Sequence, residues 1–380
     1  MRNENTEAPE TEEKVVFWGP QGSFSPTVFP PPQREAAALA LFQSFLCNSE
    51  AEAIGLSNVI TLWELIPKYT ADNLNYLDEI PNDYQKEFQI YGGKFKLTLF
   101  PGTYYPNKKS NKPKRRFPGV REQVVEQALI YLACQQAQAE EVNGEISYFI
   151  TFSIREMAMV LKAMGRTHSH GQIREALEVL SSSVMTIKKE GTSETSNRNP
   201  IVPSFTRTTS HDETISGKDN WKIQLHPLVT HAIRNVGYRQ FQYDMGADLA
   251  PFASYLQRQM HFLAPNISSE HPLTIRLTEL RNRTPGLDHK TIRASINALK
   301  RELGKMEDAG FVNQFDIAPI FPKRSAPGRP APVDAEVTIY PGSDLVRHVK
   351  AGSKRLTVSE RALGLLRSQR DSRQKTLPLF

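Results

Sequence analysis

Residues 288–311 read DHKTIRASINALKRELGKMEDAGF. Ile292, Ile296, Leu299, Leu303 and Met306 recur there at spacings of four, three, four and three, one stripe of a 3.6-residue helix. At about 100° per residue, Lys290, Arg293, Asn297, Lys300, Arg301 and Lys305 gather on the opposite side. The spacing predicts a helix with an apolar face turned inward and a basic face turned outward. Asp288, behind the turn-forming pair Pro285 and Gly286, stands at the expected N-cap, and Gly310 at the expected stop. A basic face alone fits ordinary solvated surface as well as a polyanion, so the neighbouring elements decide.

Those neighbours form a recognisable order. Tyr255, Leu256, Met260 and Leu263 mark a preceding helix, Leu273, Ile275 and Leu277 alternate as a strand, and Leu280 belongs to a short helix ending at Pro285. After the basic helix, residues 311–320 and 335–340 read as paired strands around a loop carrying Lys323, Arg324 and Arg329. The same order is legible earlier. A helix follows Pro118, with Val124, Val125, Ala128, Leu129 and Leu132 inward, and Ile146, Tyr148, Ile150 and Phe152 alternate as a strand. Ser153 and Glu156 form a capping box that opens a helix to Met164, a turn covers 165–171, and a second helix covers 171–181. Strands at 184–188, 201–208 and 221–226 follow. This is the order of a winged helix-turn-helix.

The expected fold is therefore α+β, with two tandem winged helix-turn-helix domains at 118–245 and 246–341. Residues 1–52, acidic and then proline-bearing, are expected to form a flexible tail, and 342–380 a second one. Between them, 53–117 reads as a segment of strands, with a turn at Gly92 and Gly93 joining two of them. Its end, KKSNKPKRR at 108–116, puts six cations into a proline-bearing loop that either tracks phosphate or is simply solvated.

Composition bounds the function. A chain of 380 residues that is 39% hydrophobic has material for two or three domains, and its net charge of +6 suits a polyanionic partner. Cys47 and Cys134 alone give neither a disulfide framework nor a zinc pattern, and no metal or cofactor is expected. MRNENTEAPETEEK is acidic where a signal peptide is basic and then apolar, so the expectation is a cytoplasmic protein without a membrane partner. No phosphate-loop, hydrolase or paired-aspartate motif occurs, and the expectation is a non-enzyme. His168 and His170 bracket Ser169 in a polar turn, unlike the strand-borne pair that a rolling-circle nicking protein would use.

In a helix-turn-helix the second helix enters the major groove of double-stranded DNA and reads bases near its start. His289, Lys290, Arg293 and Asn297 are the expected base readers, with Lys300, Arg301 and Lys305 on phosphate and Lys323, Arg324 and Arg329 in the wing. The first copy is expected to be a poorer reader, because its second helix turns Glu175 and Glu178 outward with Arg174. Its contacts would come from the turn and the helix start, through Arg166, His168, Ser169, His170, Gln172 and Arg174.

The chain ends QKTLPLF, which resembles the short bacterial peptides that dock on the sliding clamp. Leu377, Leu379 and Phe380 match that pattern, while Thr376 stands at its glutamine position and Gln374 lies two residues earlier.

LSNVITLWELIPKY at 56–69, PGVREQVVEQALIYLA at 118–133 and RTHSHGQIREALEVLSSSVMTI at 166–187 resemble plasmid replication initiators of the proteobacterial RepA and TrfA-like kind. The resemblance spans about 56–340. It implies a protein that binds repeated origin sites, called iterons, and recruits the host initiator, the replicative helicase and sometimes the clamp. It also implies a homodimer off DNA and a monomer on it. A winged-helix transcriptional regulator repressing its own gene is the alternative, and a nicking protein a more distant one.

Overall fold

The computed structural model describes residues 16–364, apart from 21, 26–33, 71–74, 76–78, 91, 107–111, 194–197, 209–219, 244–250, 285–286, 288 and 323–329. The chain opens with a hairpin of β1 (Phe17–Gly19) and β2 (Gly22–Phe24), followed by α1 (Arg34–Phe42) and α2 (Glu50–Ile54). Expected as part of a flexible tail, this region instead contributes Phe17, Ala38, Leu41, Phe42 and Phe45 to the larger core. The reason is the AAALALF run, whose apolar residues gain more by burial than the chain loses in freedom.

β3 (Leu56–Ile60) is buried along its length and leads into α3 (Thr61–Leu65). β4 (Tyr84–Ile90) and β5 (Gly93–Leu99) form the expected hairpin, turned at Gly92, whose φ of +81° favours glycine. A short ribbon of β6 (Gly102–Tyr104) and β7 (Lys114–Arg116) follows. These elements share one core with what comes after, so 53–117 is not a separate segment.

α4 (Val120–Gln136) lies at the centre, burying even Glu122 and Glu126. Glu126 accepts from the Tyr69 hydroxyl and the Trp63 indole and faces the Lys68 ammonium at 3.4 Å. Burial raises its pKa, and Lys68 opposes that shift. Then come β8 (Gln138–Val142), β9 (Glu145–Ser153), α5 (Ile154–Ala163) and α6 (His170–Ser182). β10 (Val184–Lys189) leaves this unit to pair with β5, setting Ile187 against Leu97. After β11 (Asn199–Pro200), β12 (Phe205–Thr208) and β13 (Asn220–Gln224) return as a hairpin whose inner strand pairs with β9. α7 (Pro227–Arg234) and β14 (Tyr238–Gln242), which pairs with β3, complete the larger core.

A second core is built by α8 (Pro251–Leu263), β15 (Leu273–Arg276), α9 (Leu277–Arg283), α10 (Ile292–Asp308), β16 (Val312–Ile320) and β17 (Asp334–Pro341). Its sheet runs β15-β17-β16, and the corresponding strands of the first unit run β9-β13-β12. One order of helices and strands therefore occurs twice, within a mixed α+β protein.

The last described element, α11 (Ser343–Ala362), replaces most of the expected C-terminal tail up to residue 364. Leu345 and Val349 join the second core, while Leu356, Ala362 and Leu363 join the first. Arg355 is fully buried between them, donating to Asn58 Oδ1 and Leu41 O at 2.6 Å each and to Phe42 O at 3.3 Å. Arg355→Ala should destabilise the protein by about 3–5 kcal/mol, since the bonds to Asn58 Oδ1 and Leu41 O are lost and a cavity opens, while Phe42 O keeps the Asn58 side-chain amide at 2.6 Å. Urea unfolding followed by circular dichroism measures this, and a change below about 1 kcal/mol would contradict the role given to Arg355.

Candidate nucleic-acid interface

α10 buries Ile296, Leu299, Leu303 and Met306 and half-buries Ile292, the stripe read from the sequence. It starts later than expected. Thr291 is the N-cap, its hydroxyl accepting from the Ala294 amide at 3.2 Å, whereas Asp288 lies outside the described residues. Both residue types cap well, and the buried Ser295 hydroxyl, which donates to Leu287 O at 2.7 Å, seats the helix start on the turn. His289 and Lys290 consequently sit in the turn before the helix, where Arg281 donates to His289 O at 2.7 Å. Gly310, at φ +76°, ends the helix, and the Phe311 amide closes it on Met306 O at 2.9 Å.

On the outer face, His289, Lys290, Arg293, Asn297 and Lys300 are exposed, and the side chains of the last four make no hydrogen bond or ion pair with a described residue. Arg301 and Lys305 differ. Glu302, nearly buried between them, takes Arg301 Nε at 3.1 Å and Lys305 Nζ at 3.2 Å. Such half-exposed pairs are worth little, about 0–1 kcal/mol, so a phosphate can compete for both cations. The uncompensated charge nevertheless lies in the first half of the helix. The sequence reading missed Glu302 because it falls at the border between the two faces.

β16 and β17 pair from Val312 and Pro341 to Ile320 and Asp334, and Lys323, Arg324 and Arg329 beyond them lie outside the described residues. Asp334 holds the start of α9 against this hairpin, accepting from the Thr278 amide and hydroxyl at 3.0 Å each. The helix pair and the hairpin root thus form one rigid piece.

The first copy is built differently. α6 begins at His170, one residue before the expected start, because Ser169 and Gln172 cap each other: the Gln172 amide donates to Ser169 Oγ at 3.2 Å and the Ser169 amide to Gln172 Oε1 at 2.9 Å. These two expected DNA contacts are thus engaged in the cap. His168 is half-buried, and burial first, then Arg121 and Arg166, hold its pKa below the usual value, leaving it neutral at pH 7. Burial first, then the charge of Arg258, lowers the pKa of Arg166. His170 and Arg174 are likewise half-buried.

The outward carboxylates of α6 are occupied within the molecule. Glu175 pairs with Arg121 Nη1 at 3.1 Å, and Glu178 accepts from the Tyr105 amide at 3.1 Å. The β6–β7 ribbon lies against this helix. Thr103 donates its amide to Ser182 Oγ at 2.8 Å and accepts the Ser182 hydroxyl at 3.0 Å. A Cβ at Gly102 would stand 2.4 Å from Val179 O, which explains the glycine. No periodicity announces this covering, since its strands are three residues long.

The expected clamp-binding residues Gln374, Leu377, Leu379 and Phe380 lie outside the described residues. Among the described residues no helix is long and apolar enough to cross a membrane.

No protein-family model and no curated protein matches this sequence. Among solved structures, domains 2 and 3 of RctB match twice, once as a selenomethionine derivative, each at 13% identity and a TM-score of 0.43. The matches cover 74% and 75% of this chain and 98% and 99% of those chains. A likeness that distant carries neither fold nor function across.

Gly102→Ala should destabilise the protein by about 1–3 kcal/mol through the forced contact with Val179 O, and thermal melting measures it. An unchanged melting temperature would mean that the ribbon does not rest on α6.

Proposed function

We propose that the chain is a sequence-specific, double-stranded-DNA-binding replication initiator built on two tandem winged helix-turn-helix domains. The observation that carries the DNA-binding part is the start of α10, where Lys290, Arg293, Asn297 and Lys300 are exposed and without described partners above a fully packed apolar stripe. Arginine pairs bidentately with guanine and asparagine with adenine, each worth roughly 1–3 kcal/mol of discrimination. His289 and Lys290 flank them from the turn, and Lys300, Arg301 and Lys305 take phosphate. Lys323, Arg324 and Arg329, between β16 and β17 in the sequence, are assigned to the DNA backbone. α9 lies across the backbone as the first helix of the motif.

The initiator part rests on the resemblance at 56–69, 118–133 and 166–187 to plasmid initiators. In this reading the protein binds iterons at an origin, recruits the host initiator and helicase, reaches the sliding clamp through Gln374, Leu377, Leu379 and Phe380, and is a dimer off DNA and a monomer on it. It acts in the cytoplasm and performs no chemistry itself.

Arg293→Ala should cost tenfold or more on a site selected from a random duplex library and relax preference at one base pair, with random-sequence DNA nearly unaffected. Equal losses on both DNAs, measured by fluorescence anisotropy, would defeat base reading by Arg293. Supplying the gene in trans to a plasmid carrying only the flanking repeats tests initiation, and failure to maintain that plasmid would leave a regulator in its place.

A further inference from the structure

The β6–β7 ribbon carries charge that α10 does not account for. Gly102 pairs with Arg116, Thr103 with Arg115 and Tyr104 with Lys114; Lys114 and Arg115 are exposed on the second strand and Lys112 is exposed two residues before it. Residues 106–117 contain no acidic side chain. Arg116 is the inward member, 3.7 Å from the buried Glu122, which the Arg121 guanidinium also touches. Arg115 donates to a neutral side chain, Asn82 Oδ1, at 3.2 Å. Tyr105, 54% exposed, stands beside the first strand.

This ribbon rests on α6, the helix that would otherwise be the groove-entering element of the first unit. A major groove about 12 Å wide admits one helix or one two-stranded ribbon, not a helix with a ribbon along its side. The ribbon meets the second half of α6, at Glu178, Val179 and Ser182, and so presents its cations beside that helix as a surface of its own.

Resting on the DNA-binding reading above, we propose that Lys112, Lys114 and Arg115 form a second duplex-contact surface that binds the sugar-phosphate backbone without reading sequence. The chemistry fits phosphate: two lysines act as point charges and one arginine as a fork, on and just before a strand that pairs with β6, whose Thr103 backbone is tied to α6. The surface adds affinity and orients the first unit, while α10 supplies sequence preference.

The test compares the full chain with K112Q/K114Q and K112A/K114A/R115A, measuring binding to the selected site and to random duplex between 50 mM and 300 mM salt. Each lost phosphate contact should lower the slope of log K against log salt by about 0.9 and cost about eightfold at 0.1 M salt. The double variant should therefore lose about 1.8 in slope and the triple about 2.7, equally on both DNAs. K112Q/K114Q leaves the Arg115–Asn82 bond in place, so a fold defect confined to the triple variant does not obscure the result. Unchanged slopes, or losses confined to the selected site, overturn the ribbon surface while leaving α10 intact. A wild-type chain that binds no duplex overturns the DNA-binding reading and the ribbon with it.

Discussion

The Arg355 guanidinium is buried and held by neutral groups, Asn58 Oδ1, Leu41 O and Phe42 O, and lies over the Phe45 and Tyr238 rings at 4.9 and 5.2 Å. Removing a charge from water costs several kcal/mol, and carbonyl acceptors with ring faces are what offset it here. Those acceptors come from α1 and β3 near the start of the chain, while the donor comes from its last described helix. Because the other half of α11 packs on the second core, Arg355 helps tie the two cores together, alongside the ion pair of Arg258 on α8 with Glu64 on α3 at 3.1 Å. Gly352 permits this closeness, since a Cβ there would lie 2.9 Å from Gln240 O.

Within that frame the two copies of one element order have been put to different uses. α10 keeps its outer face clear, with carboxylate compensation only from Glu302 at mid-helix. α6 has its carboxylates engaged by Arg121 and the Tyr105 amide and its flank covered by the β6–β7 ribbon. The difference follows from what each helix is packed against rather than from its own periodicity, since both bury a continuous apolar stripe. In the proposed reading, sequence preference resides on α10 and general affinity on the β6–β7 ribbon.

What was legible in the sequence was local. The α10 stripe, the Ser153–Glu156 capping box, the glycine turn at Gly92 and the strands Phe88–Ile90 and Phe95–Leu99 belong to are all set by residues within a few positions of each other. What was not legible depends on distant partners. β10 pairs with β5 about ninety residues upstream by register, Ile187 to Leu97, and nothing in VMTIKK names that partner. The AAALALF run and α11 read as tails because an apolar stripe at a chain end looks the same with or without a surface to cover it. Thr291 and Asp288 are both good caps, and only the contact from Ser295 to Leu287 O, through a folded turn, separates them. At the candidate site, the exposed residues of α10 were readable from spacing, and the Ser169–Gln172 cap follows the same local pattern as Ser153–Glu156 although it was passed over, whereas the engagement of the α6 carboxylates required the fold.

The central claim is that duplex DNA lies on the start of α10. Photo-crosslinking of the full chain to duplexes selected from a random library, with the linked peptides mapped by mass spectrometry, tests it most directly. The account predicts linked peptides from residues 289–300. Crosslinks confined to residues 166–174, with none in 289–300, would contradict it.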